Sequence, residues 1–188
     1  MIIVAFFAPA CIIRTRSKNR EIHMSILLAQ VFNQDISFRK ATPEDSEWAY
    51  GFFKQSIGHI IEAQLGKWDD VAQRRFFFEY DQFPTENSVI IMRHGEPVGF
   101  TEIRESDDKV WIPHIYLRDD VQRLGLGSFI CEKALAVAQF IDKPLKAETL
   151  KLNTAPQAMF TKLGFIQTGE NKYEFTFTHR DTISNQPA

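Results

Sequence analysis

The chain has 188 residues, a net charge of −2 and two cysteines, Cys11 and Cys131. This length suits one well-buried domain, the charge balance argues against a general nucleic-acid binder, and two cysteines support neither a disulfide framework nor a cysteine zinc site. A reducing, cytoplasmic setting is expected, and seventeen phenylalanines against four tyrosines point to an aromatic-rich core or an apolar slot for a ligand.

The chain opens with an apolar run, Met1 to Ile13, followed by the basic stretch "RTRSKNR". A secretory signal carries its positive charge before the apolar run, and a bilayer span needs ~20 residues, so neither pattern fits. Residues 1–35 are read as an extension outside the fold, with Met24 as an alternative start. From Ile36, "ISFRKA" alternates like a short strand with Ile36, Phe38 and Lys40 on one face. "TPED" opens a helix: Thr42 caps, Pro43 suits the first helical position, and Asp45 completes a capping-box spacing. Apolar positions continue from Trp48 to Ile61, with Gly58 expected to break the run into two helices. A further helix covers "GKWDDVAQRRFFFEYDQFP" and closes near Pro84. Its Phe76, Phe77 and Phe78 read as core. Its acids Asp69, Asp70, Glu79 and Asp81 read as a solvated face, or alternatively as part of a pocket for a cationic amine.

"SVIIMR", "HGEP" and "VGFTEIRES" form a hairpin turning at Gly95. "KVWIPHIYL" is the next strand, and Pro113 inside it demands an edge, a bulge or a gap in the sheet, because proline donates no ladder bond. A helix follows from about Ser128 to Phe140, then the strand "KPLKAETLKL". "NTAPQAMFTKLGF" is a short helix capped by Asn153 or Thr154, with Gly164 just past its end. A final hairpin and a frayed tail over 181–188 complete an α/β order on a mixed sheet.

The segment "DDVQRLGLGSFICEKAL" places Gly125 and Gly127 at the mouth of a helix. A nucleotide P-loop needs Gly-Lys-Ser/Thr there, and Ser128 and Phe129 follow Gly127 instead. A dinucleotide turn needs a third glycine where Ile130 stands. The pattern that remains, Gln122-x-x-Gly125-x-Gly127, reads either as an anion nest or as a tight strand-to-helix turn with no ligand. In the nest, successive amides from Arg123 to Ser128 face one concavity, glycines admit close approach, and the helix dipole favours negative charge.

"IYLRDDVQRLGLGSFICEKAL" resembles the acetyl-coenzyme A motif of the GNAT N-acetyltransferase superfamily, and "NTAPQAMFTKLGF" resembles that family's second motif at the expected distance. "FRKATPED" looks like its first strand and helix start. The resemblance implies a mixed, mostly antiparallel sheet, splayed in the middle and flanked by helices, over residues 36–180. It implies acetyl-coenzyme A as co-substrate, no metal, transfer to a primary amine of a small molecule or peptide by direct attack in a ternary complex, and a homodimer; neither a nucleic-acid nor a membrane partner is expected. An acyl-coenzyme A-binding or sensing module with weak catalysis is the alternative, and a nucleotide-binding protein a third.

On this resemblance the pyrophosphate lies on the amides of Arg123, Leu124, Gly125, Leu126, Gly127 and Ser128, behind Gln122. The pantetheine arm runs along Ile115, Tyr116 and Leu117, and Asn153, Phe160 and Lys162 border the cofactor. Phe160 departs from the family, which commonly has a tyrosine there to protonate the leaving thiolate; Tyr173 and Tyr116 are substitute hydroxyls. His114, on the strand before the turn, is the first candidate base and Glu102 the second. Cys131 reads as a small core hydrophobe.

Overall fold

The computed structural model describes residue 32 and residues 34–183; the apolar run, the basic stretch and Met24 lie outside the described residues. Seven strands form one sheet in the order β1-β2-β3-β4-β5-β7-β6. They are β1 (Ile36–Lys40), β2 (Ser88–Arg93), β3 (Glu96–Glu105), β4 (Val110–Leu117), β5 (Leu145–Leu150), β6 (Phe165–Glu170) and β7 (Glu174–His179). Every neighbouring pair is antiparallel except β4 with β5, which is parallel and pairs only from Val110–Ile112 to Leu145–Ala147. Beyond Ile112 the two strands part, and Pro113 is the first residue of the gap. The turn between β2 and β3 puts His94 and Gly95 at φ 50° and 85°, the left-handed pair that matches strand twist in a two-residue hairpin.

Helix α1 (Ser46–Leu65) runs through Gly58 without interruption, so the expected break is absent. Gly58 is buried against the Trp68 ring, 3.4 Å from where a Cβ would stand; here glycine makes room for an aromatic rather than ending a helix. At the start of α1 the Thr42 amide donates to Asp45 Oδ2 at 2.8 Å, and Arg39 grips the same carboxylate with two bonds of 2.7 Å. Helix α2 (Asp70–Arg75) is capped by Asp69, whose Oδ1 accepts from the Ala72 amide at 3.1 Å, and continues as a π-helical turn over Phe76–Tyr80. Helices α3 (Leu126–Phe140) and α4 (Thr154–Lys162) complete the set that matters for the site.

The sheet separates two cores. On one face, α3 and α4 bury Val89, Ile91, Val98, Ile103, Ile130 and Phe160. On the other, α1 and α2 bury Tyr50, Phe53, Phe77, Phe83, Ile90 and Phe100. The packed region begins before Ile36, since the Phe32 ring meets Phe129 edge-on at 5.3 Å. It also runs past residue 180: Arg180–Thr182 form a 3-10 turn, and Thr182 Oγ1 accepts from the Leu145 amide at 2.9 Å. That bond anchors the first part of the expected frayed tail; residues 184–188 lie outside the described residues.

Candidate active site

The gap between β4 and β5 owes its side chains to a bulge. Glu102 pairs with His114 but Arg104 pairs with Trp111, so Ile112 and Pro113 together oppose Ile103. One extra residue inverts the alternation of β4. Val110 and Ile112 therefore enter the α3 side, while His114 and Tyr116 face the α1–α2 side beside Glu102 and Arg104. Proline suits this spot because a bulge leaves a residue out of the ladder.

At the C-terminal end of β4 the chain turns through Arg123 (φ 60°) and Gly125 (φ 93°) into α3. The amides of Arg123 to Ser128 donate to no acceptor among the described residues; the first amide to return to the helix is that of Phe129, to Gly125 O at 2.9 Å. Gln122 is part of the frame, its Nε2 donating to Leu117 O at 2.8 Å and Asp119 Oδ1 at 3.0 Å. Gly127 is buried under α4, and a Cβ there would stand 2.7 Å from Met159 Sδ. Six consecutive amides without an acceptor among the described residues, at a helix N-terminus beside a strand whose edge towards β5 is open, fit a diphosphate followed by an extended arm that bonds to backbone. Coenzyme A has both parts, so the residues present fit the co-substrate the sequence suggested. Ile115, Tyr116 and Leu117 lie on the length of β4 that has parted from β5 while still paired with β3.

The expected catalytic residues are distributed differently. Glu102 is wholly buried and bound to Arg104 Nη2 at 2.8 Å and to the Thr85 hydroxyl. Arg104 also reaches Asp81, with Nη1 3.0 Å from Oδ1 and Nη2 2.6 Å from the backbone oxygen. His114 Nε2 sits 2.5 Å from Asp81 Oδ2, a close approach whose direction falls outside a well-formed hydrogen bond. Phe77, Phe83 and Phe100 enclose the imidazole, with ring centroids 5.6–6.2 Å away. Burial pushes the Asp81 carboxyl up, but the charges of His114 and Arg104 outweigh it and hold the group below the usual carboxylate range. Asp81 is thus no solvated acid: the π turn, where its amide donates to Phe76 O at 2.8 Å, aims it into the sheet. The Glu102 carboxylate is committed to structure, and its burial argues against a role as base.

Tyr116 packs on Phe53, Phe100 and His114 at 5.1–5.7 Å and borders the gap. Burial raises the pKa of its phenol above the ordinary tyrosine value, and the charges of Asp81 and Glu174 add to the shift. Phe160 is 5% exposed and packs on Phe165 and Phe177 at 5.2 and 5.7 Å, so it is a core ring of the α3–α4 side. Asn153 precedes α4 but its side chain makes no capping bond. Lys162 is exposed in the last turn of α4. Tyr173 sits in the turn before β7, where its backbone oxygen accepts from Gln64 Nε2 at 2.6 Å and from the Lys151 amide at 2.9 Å. Cys131 is buried, and desolvation lifts its thiol to about 12. Asp81, Arg104 and Thr85 acquire their partners only through long-range pairing, and no sequence signal announced it. Glu174 had a signal: "YEFTFTH" puts Glu174 and Thr176 on the face opposite Phe175 and Phe177.

A split mixed sheet, an amide cradle at a helix mouth and an open strand edge define an α/β fold with a site shaped for an extended anionic ligand. A family model for the acetyltransferase (GNAT) family matches residues 54–165, and the chain belongs to that family. No curated protein matches the sequence. Among solved structures, the chain is similar to the PaiA N-acetyltransferase of Thermoplasma acidophilum, solved with coenzyme A, at 14% identity and TM-score 0.59, over 78% of this chain and 99% of that one. It is similar to apo YjaB of Escherichia coli at 18% identity and TM-score 0.57, over 77% and 97%. It also matches a candidate acetyltransferase of Pyrococcus horikoshii at 18% identity and TM-score 0.54, with 73% of this chain spanning 46% of that one. At these identities the likeness is one of fold. Among the described residues no helix is long and apolar enough to cross a membrane, and no group of three His, Cys, Asp or Glu side chains gathers to hold a metal.

Proposed function

We propose that the protein transfers an acetyl group from acetyl-coenzyme A to a primary amine, by direct attack within a ternary complex. The supporting observation is the juxtaposition of the unpaired amides 123–128 with the β4–β5 gap, which opens at Pro113. In this reading the cradle binds the diphosphate and the backbone of Ile115 and Leu117 holds the pantetheine arm. The amine approaches from the α1–α2 side, where Tyr116 borders the gap. Its nitrogen forms the new bond to the acetyl carbon as the carbon–sulfur bond breaks and the electron pair goes to sulfur. Tyr116, kept neutral by burial, is the hydroxyl that can return a proton to sulfur in place of the one Phe160 lacks.

A second reading, an acyl-coenzyme A-binding module with vestigial catalysis, is favoured by the commitment of Phe160 and Glu102 to packed, non-reacting roles. Release of free thiol from acetyl-coenzyme A across a panel of amines, amino acids and short peptides separates the two. Acceptor-dependent thiol release supports the transferase, whereas tight coenzyme A binding with no acceptor-dependent release from any amine supports the sensor.

A further inference from the structure

The partly buried carboxylates of this fold fall into two groups. Asp45 is held by Arg39, Asp81 and Glu102 by Arg104, and Glu105 by Lys143. Glu174 has no cationic partner among the described residues. Its side chain is half-buried at the start of β7, where Asn171 Nδ2 donates to Oε2 at 3.1 Å. An unpaired carboxylate in such a position is unfavourable for folding and is a common mark of a functional site. Its position in the sheet says which function. Glu174 pairs with Leu150, whose side chain belongs to the α1–α2 core, so Glu174 shares the face of Tyr116. At Leu150, β5 has already parted from β4, so Glu174 and Tyr116 lie on the same face of the sheet on either side of that opening.

We propose that Glu174 binds the ammonium form of the acceptor and takes its first proton. This rests on the transferase reading above. The ammonium donates to the carboxylate and passes one proton to it, which frees the nitrogen lone pair for the acetyl carbon. The second nitrogen proton leaves after the new bond forms and reaches sulfur through the Tyr116 hydroxyl. The products are the amide, free coenzyme A and one proton, which Glu174 releases to solvent. The substrate class that follows is an amine that is cationic at neutral pH and carries no carboxylate next to the nitrogen, since Glu148 adds a second negative charge beside Glu174. The groups facing Glu174 are Tyr116 from β4, Glu148 from β5 and Asn171 from the preceding turn. Burial, the leading cause, raises its pKa above the ordinary carboxylate value, as a proton acceptor working near neutral pH requires.

The test compares wild type with Glu174→Gln and Glu174→Asp by thiol release, using 1,4-diaminobutane, benzylamine and glycine as acceptors, together with thermal unfolding. Because the folded pKa of Glu174 is raised, its ionisation at neutral pH opposes folding, and that penalty vanishes below the unfolded value. Glu174→Gln is therefore expected to hold or raise Tm at pH 7.5. It should also lower kcat/KM for the two carboxylate-free amines by about 10²–10⁴-fold and abolish the acid limb of the pH profile. Glu174→Asp should restore part of the rate. A purely structural Glu174 would instead lose Tm and activity together. A Glu174→Gln loss of less than about tenfold, or glycine as the best acceptor, overturns the proposal. Absence of turnover by wild type with every amine overturns the transferase reading itself, and the proposal with it.

Discussion

Arg104 is the residue on which the buried polar centre depends. It is 18% exposed in its side chain, and it is the cation between Glu102, at 0%, and Asp81, at 11%. Arg104→Ala leaves two carboxylates without their arginine in a buried setting. Removing one member of a buried ion pair typically costs about 3–5 kcal/mol. For a domain of this size each kcal/mol lowers Tm by roughly 2–4 °C, so a drop of about 6–20 °C is expected at pH 7.5. The loss should shrink at pH 5, because an orphaned buried carboxylate relieves itself by binding a proton. Removing Glu102 together with Arg104, as Glu102→Leu with Arg104→Met, should recover only part of the stability, since one buried carboxylate is gone but Asp81 still lacks its arginine. Urea and thermal unfolding followed by circular dichroism at the two pH values measure all three effects. An Arg104→Ala loss below about 1 kcal/mol at pH 7.5, within the range of an exposed pair, would refute the claim that this network is buried and mutually dependent.

Gly99 lies where β3 meets the end of β4, and a Cβ there would collide with the Tyr116 carbonyl oxygen. Gly99→Ala should destabilise by about 1–3 kcal/mol, and coenzyme A affinity measured by calorimetry should fall with it if the displaced strand is, as proposed, the cofactor rail. Gly125→Ala forces a side chain into a left-handed backbone at φ 93°. A stability loss of about 1–2 kcal/mol, with weakened coenzyme A binding, is expected; unchanged affinity would separate the turn from the cofactor. Cys131 should resist a thiol reagent in the folded protein at pH 8 and react on unfolding, since burial lifts its pKa to about 12. Asp70 accepts from Lys54, Trp68 and Tyr50, which together draw its carboxyl down to about 2. Asp45 is likewise lowered, first by its bond to Arg39. Both folded values lie below the unfolded one, so their stabilisation is complete above about pH 4 and is lost as the pH falls through the folded values. A urea midpoint that stayed flat between pH 6 and 2.5 would contradict these pairings.

Much of this protein is written locally. The apolar β-rich runs "SVIIMR" and "VGFTEIRE", the left-handed turn at His94 and Gly95, the capping of α1 and the helix after Gly127 depend on neighbours a few residues away, and each is legible in the chain. The amide cradle is equally local, because the backbone of six consecutive residues forms it. The exceptions were decided by contacts distant in sequence. Gly58 reads as a breaker until Trp68 occupies the space it leaves. In "VWIPHIYL" a period of two puts Val110, Ile112, His114 and Tyr116 on one face. The bulge opposite Ile103 sends the first two into one core and the last two into the other, and only pairing with β3 reveals it. That inversion buries His114 between Asp81 and three phenylalanines and turns Tyr116 to the face that Glu174 reaches through its pairing with Leu150. The family and the amide cradle at the mouth of α3 are legible in the chain alone, because backbone amides and glycines need no distant partner. Which acids and hydroxyls face the reacting atoms was decided by the tertiary structure, because a one-residue change of register reverses every side chain beyond it.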